Sequence, residues 1–131
     1  MNLIMYLPFP PSENSYYSHT SRGVYISAKG RRYREAVVES VREQNGVLRL
    51  DDRLAITVIL HPTDRRVRDI DNYDKGLLDA LTHAGVWVDD EQLDQLCFYR
   101  GERIAGGSCI VSITDAGPVI PAGSAEMVLD I

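Results

Sequence analysis

The sequence predicts a single α+β domain with two main helices and several short strands. Its 131 residues suit one domain. The composition, 44% hydrophobic and 25% charged, is that of an ordinary globular protein. Apolar residues recur at helical spacing in two segments and follow strand patterns in others. A mostly disordered chain, a collagen-like fibre and a disulfide-rich miniprotein are therefore excluded.

The N-terminal part is predicted to contain a strand and a long loop. Residues 2–7 form the strand, and Pro8 ends it because proline removes a donor from the hydrogen-bond ladder. Residues 8–23 are rich in Pro, Ser, Asn and Tyr, which predicts a loop. Loops of this length in compact domains are often functional. Residues 24–26 predict a short extended piece.

The middle of the chain predicts a helix followed by a strand. Ser27 is a suitable N-cap for a helix over residues 28–45, and Asn45-Gly46 closes it. The first turns of this helix are basic. Residues 54–60 alternate and are rich in β-branched side chains, which predicts a half-buried or fully buried strand.

The C-terminal half predicts a second helix and two further strands. A polar, basic connection over residues 63–68 leads into a helix over 71–84, which Gly85 ends. Strands are predicted over 95–101 and 108–114. Because two glycines lie in the turn between them, we expect these strands to pair as an antiparallel hairpin.

The folded domain is predicted to span residues 1–114. Residues 115–131 contain two prolines and two glycines and predict an appended tail. Seventeen residues are too few to bury a core of their own.

The charge is unevenly distributed along the chain. A formal net charge of −5 argues mildly against a nucleic-acid partner. However, residues 1–34 carry five basic side chains against one acidic one, whereas residues 64–94 hold nine of the nineteen acids. Bound cations in a pocket of carboxylates would make the formal charge misleading.

Several other classes of site are not supported. Cys97 and Cys109 fall on apolar stretches and suit buried small side chains. The three histidines lack the spacing of a helical metal site. Because the sequence has neither a long apolar run nor a targeting segment, we expect a soluble, cytoplasmic protein with no membrane contact.

The most informative feature is a series of acidic residues around a lysine. Asp69 and Asp71 are two apart, so in extended backbone both side chains would point the same way and converge on one cation. A chain reversal would bring Asp89-Asp90 beside them, where the clustered carboxylates would need a cation such as Mg²⁺. Lys75, four residues after Asp71, fits an ordinary helical ion pair or a lysine that stabilises phosphate charge. Asp89-Asp90 equally fit a solvated surface pair.

Basic residues lie directly before these acids. Arg65, Arg66 and Arg68 fit structural counter-ions or a phosphate clamp. An EF-hand loop that starts at Asp69 or at Asp71 is excluded, because tyrosine, alanine and lysine occupy positions that must bind calcium. Together the acids and the arginines favour metal-assisted cleavage of a phosphodiester in an anionic polymer.

The order and spacing of these motifs over residues 3–114 resemble the RusA-type Holliday junction resolvases, which are endonucleases of bacteria and prophages. The matching segments are Leu7–Tyr17, Ser27–Arg34, Arg68–Leu81 and Gly85–Leu93. The resemblance implies a small α+β fold with a mixed sheet, built as a homodimer. It further implies a magnesium-dependent endodeoxyribonuclease, with Mn²⁺ as a substitute, that nicks opposing strands of four-way junction DNA.

Matching by motif position assigns roles to individual residues. The catalytic set is Asp69, Asp71, Lys75, Asp89 and Asp90, of which Asp69, Asp71 and Asp90 are the metal ligands. The candidate DNA-binding residues are Asn14, Lys29, Arg31, Arg65, Arg66 and Arg68.

Two alternatives stay open at this point. A non-catalytic module of the same fold would bind branched DNA with vestigial acids, although all the motif acids and the lysine are present. A magnesium-dependent hydrolase of small phosphates would need a closed, mostly apolar pocket. The sequence offers instead a long polar loop and flanking basic residues.

Overall fold

The computed structural model describes residues 1–125 and residue 129. Three α-helices, two short 3₁₀ helices and six strands follow one another in this part of the chain. In order they are β1 (Asn2–Leu7), α1 (Glu13–Tyr16), β2 (Tyr17–Thr20), β3 (Gly23–Ile26), α2 (Ala28–Glu43), β4 (Leu54–His61), a first 3₁₀ helix (Ile70–Tyr73), α3 (Asp74–His83), a second 3₁₀ helix (Asp90–Gln92), β5 (Leu93–Arg100) and β6 (Ser108–Asp115).

The core lies between one face of a four-stranded sheet and the helices. The strand order is β1-β6-β4-β5, and β6 is antiparallel to both neighbours whereas β4 and β5 run parallel. Every second side chain of β4 is buried, starting at Leu54. Val37 and Val41 of α2 and Leu77 and Leu81 of α3 join the same cluster. The predicted α+β class with a mixed sheet is confirmed.

The predicted hairpin between the last two strands is wrong. Strands are present close to the predicted positions, but β4 lies between β5 and β6 and pairs with both. Residues 101–107 cross the end of β4, where Gly101 N–H donates to Leu60 O (2.8 Å) and Ile104 N–H donates to Pro62 O (2.9 Å). The buried alternation of β4 makes it an internal strand, and this tertiary demand overrides the local turn signal.

The predicted loop over 8–23 contains regular structure. It holds α1 and β2, and β2 pairs with β3 in a separate two-stranded sheet. Sequence patterning missed this hairpin because nearly all its residues are exposed, so neither strand needs apolar alternation. At its base the Ser27 hydroxyl donates to Ser15 O (2.5 Å), and Ser27 N–H donates to Tyr16 O (2.9 Å).

The two main helices begin and end close to the predicted positions. Ser27 caps α2 by accepting a hydrogen bond from Gly30 N–H (3.0 Å), and Asn45 ends it with a φ of +56°. The second helix starts with 3₁₀ geometry over Ile70–Tyr73 before α3 begins, and Gly85 ends it with a φ of +84°.

The tail follows β6 without another strand as far as residue 125. The first residue of the predicted tail, Asp115, is the last residue of β6, and Ala116 N–H donates to Arg53 O (3.0 Å), which holds the next residue against the domain. Residues 126–128, 130 and 131 of the predicted tail lie outside the described residues. In the part of the chain that is described, no helix is long and apolar enough to cross a membrane.

Candidate functional site

The first 3₁₀ helix positions two of the predicted catalytic acids. Asp69 precedes it in extended backbone, whereas Asp71 lies within it. The expectation that both side chains share one side of extended backbone is therefore wrong, because Asp71 already lies in the first turn of the 3₁₀ helix that leads into α3. Both Asp69 and Asp71 are exposed. Neither carboxylate has a hydrogen-bond or ion-pair partner among residues 1–125 and 129.

The structure separates the roles of Asp89 and Asp90. Asp89 caps the second 3₁₀ helix by accepting from Glu91 N–H (3.1 Å), and Gln92 completes the capping box. Asp90 accepts hydrogen bonds from the Thr82 hydroxyl and, at 3.3 Å, from Trp87 Nε1–H. Asp90 is thereby attached to α3, which carries Thr82.

Sequence reasoning missed both residues that hold Asp90. Trp87 lies between two valines in the sequence and is buried. A buried indole N–H needs an acceptor, which is the signal that could have identified a polar partner. Trp87 Nε1–H also donates to Thr82 Oγ1 (2.6 Å), so the indole and the hydroxyl fix the carboxylate jointly.

Lys75 stands in the first turn of α3 beside an aromatic ring. Its ammonium lies 5.3 Å from the ring centroid of Tyr17. The Asp71–Lys75 ion pair that the spacing allowed is not among the salt bridges of the described residues. Burial raises the pKa of Tyr17 to about 12, with smaller contributions from nearby carboxylates that include Asp79 and Asp90.

The predicted carboxylate cage is not a formed cluster in the single chain. Within residues 1–125 and 129, no three His, Cys, Asp or Glu side chains are grouped closely enough to hold a metal ion. The donor set nevertheless suits Mg²⁺, which takes oxygen ligands and uses only one or two carboxylates beside its waters.

A basic groove opens next to the first 3₁₀ helix. It has a volume of about 640 Å³, and its charged lining consists of Lys29, Arg32, Arg66 and Arg68. Hydroxyl groups of Ser12, Ser15 and Thr63 also line it, and no acidic side chain of the described residues does. Several cations beside neutral hydrogen-bond donors are the chemistry that binds phosphate oxygens.

The basic groove contains only part of the predicted DNA-binding set. Lys29, Arg66 and Arg68 line it, whereas Asn14, Arg31 and Arg65 do not. Asn14 and Arg65 are exposed elsewhere, and Arg31 Nη1 donates to Ile26 O (2.7 Å). Arg32 was not among the predicted DNA-binding residues, although its i,i+3 spacing from Lys29 places both on one side of α2.

Arg68 combines the two roles that the sequence left open. It is largely buried and forms an ion pair with Asp64, with 2.8 Å between Nη1 and Oδ1. Its hydrogen bond is the main reason that the pKa of Asp64 falls below its ordinary value. The guanidinium also lies 5.8 Å from the ring centroid of Phe9, another groove residue. Arg68 is thus held in place while it lines the groove.

Comparison with known proteins identifies the family of this chain. Residues 8–113 match the family model described as Endodeoxyribonuclease RusA. The chain belongs to the RusA family.

Relatives in the RusA family match most of the length of this chain. A crossover junction endodeoxyribonuclease from Enterobacteria phage HK97 is 43% identical over 109 residues, which are 83% of this chain and 91% of the relative. The protein of the same name from Shigella sonnei strain Ss046 is 38% identical over 111 residues, 85% of this chain and 92% of the relative. The protein of this name from Escherichia coli strain K12 is 37% identical over 111 residues, which again are 85% of this chain and 92% of the relative.

A polar cluster that the sequence analysis did not identify connects the three helices of this RusA-family chain. The Tyr16 hydroxyl donates to Asp79 Oδ2 (2.5 Å), and Arg34 donates to the same oxygen through Nε (3.1 Å) and Nη2 (2.8 Å). Arg34 Nε also donates to the Tyr16 hydroxyl oxygen (3.0 Å). These residues come from α1, α2 and α3, so the cluster fixes how the helices that carry the site pack together.

Replacement of Asp79 by Asn is expected to destabilise the fold. The change removes the counter-charge of a partly buried guanidinium, which costs about 1–3 kcal/mol of unfolding free energy. Asp71→Asn, at an exposed acid without a partner, is the matched control and is expected to change stability by less than about 0.5 kcal/mol. Urea denaturation measures both, and equal effects of the two substitutions would contradict the assigned role of the cluster.

Proposed function

We propose that this chain is a crossover junction endodeoxyribonuclease that resolves four-way DNA junctions by metal-dependent phosphodiester hydrolysis. The observation that carries the proposal is the contact between the basic groove and the acidic 3₁₀ segment. Arg68 and Tyr73 line the groove, and they flank Asp69 and Asp71 in the sequence. A strand bound by the groove would therefore pass directly beside carboxylates suited to a divalent cation. The names of the relatives support the same activity.

Each group of residues has a distinct task in this proposal. Lys29, Arg32, Arg66 and Arg68 gather the phosphate backbone, and this contact is independent of base sequence. Asp69, Asp71 and Asp90 would hold Mg²⁺ or Mn²⁺, which when bound supplies a Lewis acid and an activated water. Lys75 stabilises negative charge on the reacting phosphate. Asp89 keeps the turn that carries Asp90 in place.

We also propose a homodimer. Two equivalent sites related by a two-fold axis match the two equivalent strands of a four-way junction. The sheet offers a surface for self-association, because its side opposite the helices carries Tyr6, Ile110, Ile59 and Tyr99 in one row. Tyr6 and Tyr99 are more than half exposed, at 61% and 55%.

Asp71→Asn is expected to lower the rate of junction cleavage by at least about 100-fold while leaving junction binding largely intact. The loss follows because a neutral amide replaces a charged ligand, whereas the groove is untouched. Cleavage of a synthetic four-way junction with Mg²⁺, and with EDTA in its place, measures the effect.

Asp51→Asn is the matched control, since Asp51 is also exposed but lies in the segment before β4. Its cleavage rate is expected to equal that of the wild type. Equal cleavage by Asp71→Asn and the wild type would contradict the proposed nuclease. Junction binding by a wild-type protein that never cleaves would instead support a non-catalytic module of the same fold.

Lys29→Ala and Arg32→Ala are each expected to weaken junction binding to a similar degree for all sequences. The logarithm of the association constant falls with the logarithm of the salt concentration. Loss of one phosphate contact makes this slope shallower by about 1. Fluorescence anisotropy at several salt concentrations, with EDTA present, measures the slope. Arg42→Ala is the control, because this exposed arginine lies in the last turn of α2 and outside the groove. The same slope for all three variants would rule out the groove as the DNA contact.

Sedimentation equilibrium of the wild-type protein is expected to give twice the chain mass of 14.7 kDa. Tyr6→Glu is expected to weaken the association, since it places a charge in the exposed apolar row. A single-chain mass for the wild type at micromolar concentration would contradict the homodimer. A Tyr6→Glu variant that associates as tightly as the wild type would exclude this face of the sheet as the interface.

A further inference from the structure

Two acidic residues lie one helical turn from Lys75 on the same side of the helix. Neither forms a salt bridge with Lys75 in the described residues. Asp79, one turn later, is bound by Tyr16 and Arg34. Asp71, one turn earlier, forms no salt bridge with it in the described part of the chain. The side-chain contact that the structure does give the ammonium is the Tyr17 ring, with Nζ 5.3 Å from its centroid. A cation placed over an aromatic face is attracted by the electron-rich ring.

The Tyr17 ring is itself held in place. Its centroid lies 4.6 Å from that of Tyr16, with the two ring planes inclined by 58°. Tyr16 is fully buried and anchored through its hydroxyl to Asp79 and Arg34. Its ring packs against α3 at Gly76, where a Cβ atom would stand 2.9 Å from Tyr16 Cδ2. The residue after Lys75 is therefore in contact with the tyrosine that supports Tyr17.

The ring contacts the ammonium as a neutral aromatic. Burial raises the pKa of Tyr17 to about 12, so the phenol keeps its proton near neutral pH. The attraction to Lys75 consequently uses the ring face, and a phenylalanine in the same place would preserve it.

We propose that Tyr17 is a positioning residue for cleavage, whose ring face fixes where the Lys75 ammonium stands. This inference rests on the proposed function, because it assumes that Lys75 stabilises charge on the reacting phosphate. A flexible lysine would occupy the productive position only part of the time, and small misplacements of a catalytic group are costly. The arrangement also keeps the positive charge available to a phosphate, since the ring, unlike a carboxylate, does not neutralise it.

The kinetic test compares a variant that removes the ring with one that removes only the hydroxyl. Tyr17→Leu is expected to lower kcat on a four-way junction roughly tenfold while KM and the junction Kd stay within about twofold. Tyr17→Phe is expected to restore kcat to within about twofold of the wild type. Tyr25→Leu removes an exposed tyrosine from β3 and is the matched control, with an unchanged rate.

A double substitution separates positioning from a general structural role. If Tyr17 acts through Lys75, then Tyr17→Leu added to Lys75→Ala changes the residual rate by less than about twofold. A tenfold further loss in that background would show that the ring acts elsewhere and would overturn the inference.

A measurement without DNA tests the contact directly. The ring current of Tyr17 is expected to shift the Lys75 side-chain methylene resonances upfield in the NMR spectrum. Tyr17→Phe should keep this shift and Tyr17→Leu should abolish it. Identical Lys75 resonances in all three folded proteins would overturn the inference, and so would the absence of the upfield shift in the wild type and in Tyr17→Phe. Absence of cleavage by the wild-type protein with the shift present would instead refute the proposed function.

Discussion

The arrangement of the site depends on the charge-assisted hydrogen bonds among Tyr16, Arg34 and Asp79. Hydrogen bonds between ionised groups are roughly twice as strong as neutral ones, and here both ionised side chains are largely shielded from water. The three residues belong to three different helices, so one Asp79 oxygen sets the mutual placement of α1, α2 and α3. Tyr17 follows Tyr16 directly, and Lys75 lies one turn before Asp79. The cluster therefore decides where the candidate catalytic lysine stands, although none of its members is a candidate metal ligand.

The second constraint is the separation of opposite charges within a chain of net charge −5. Acids are numerous, yet none among the described residues lines the basic groove. Asp64, two residues before Arg66, forms ion pairs with Arg66 and Arg68, and it is outnumbered by the four cations of the groove. The local field that a phosphate backbone would meet is thus positive in spite of the overall charge. Net charge describes solubility and long-range attraction, whereas binding depends on the side chains within a Debye length.

Sequence patterns among neighbouring residues predicted the ends of the two main helices and the strands of the four-stranded sheet correctly. They failed for strand pairing, which depends on residues distant in the sequence. Ser27 as an N-cap, the end of α2 at Asn45 and the alternation of β4 all follow from neighbouring residues, and all are confirmed. The pairing of β5 and β6 was wrong, because strand order depends on which strand has the most apolar surface to bury rather than on the turn between them.

The same limit applies to the site. The acids and the lysine were identifiable from motif spacing, but the 3₁₀ geometry at Asp71 depends on tertiary packing. The tyrosine beside Lys75 comes from a segment almost sixty residues earlier, and no local pattern relates the two. Arg32 was not assigned to DNA because only the groove shows which basic residues of α2 share a surface with Arg66.

The extent of the site distinguishes between classes of substrate. Asp69 and Asp71 precede the helix, Lys75 lies in its first turn, and Asp90 is tied to Thr82. At 1.5 Å per residue, the helix positions of Lys75 and Thr82 are roughly 10 Å apart along the axis. These are backbone positions, and the proposed cation would bring the carboxylates of Asp69, Asp71 and Asp90 together. The basic groove is what lengthens the site, because its four cations are more than one small phosphate ester can contact. A polymer backbone that continues on both sides of the scissile bond could reach all of them, which favours a nucleic-acid substrate over a small phosphate ester.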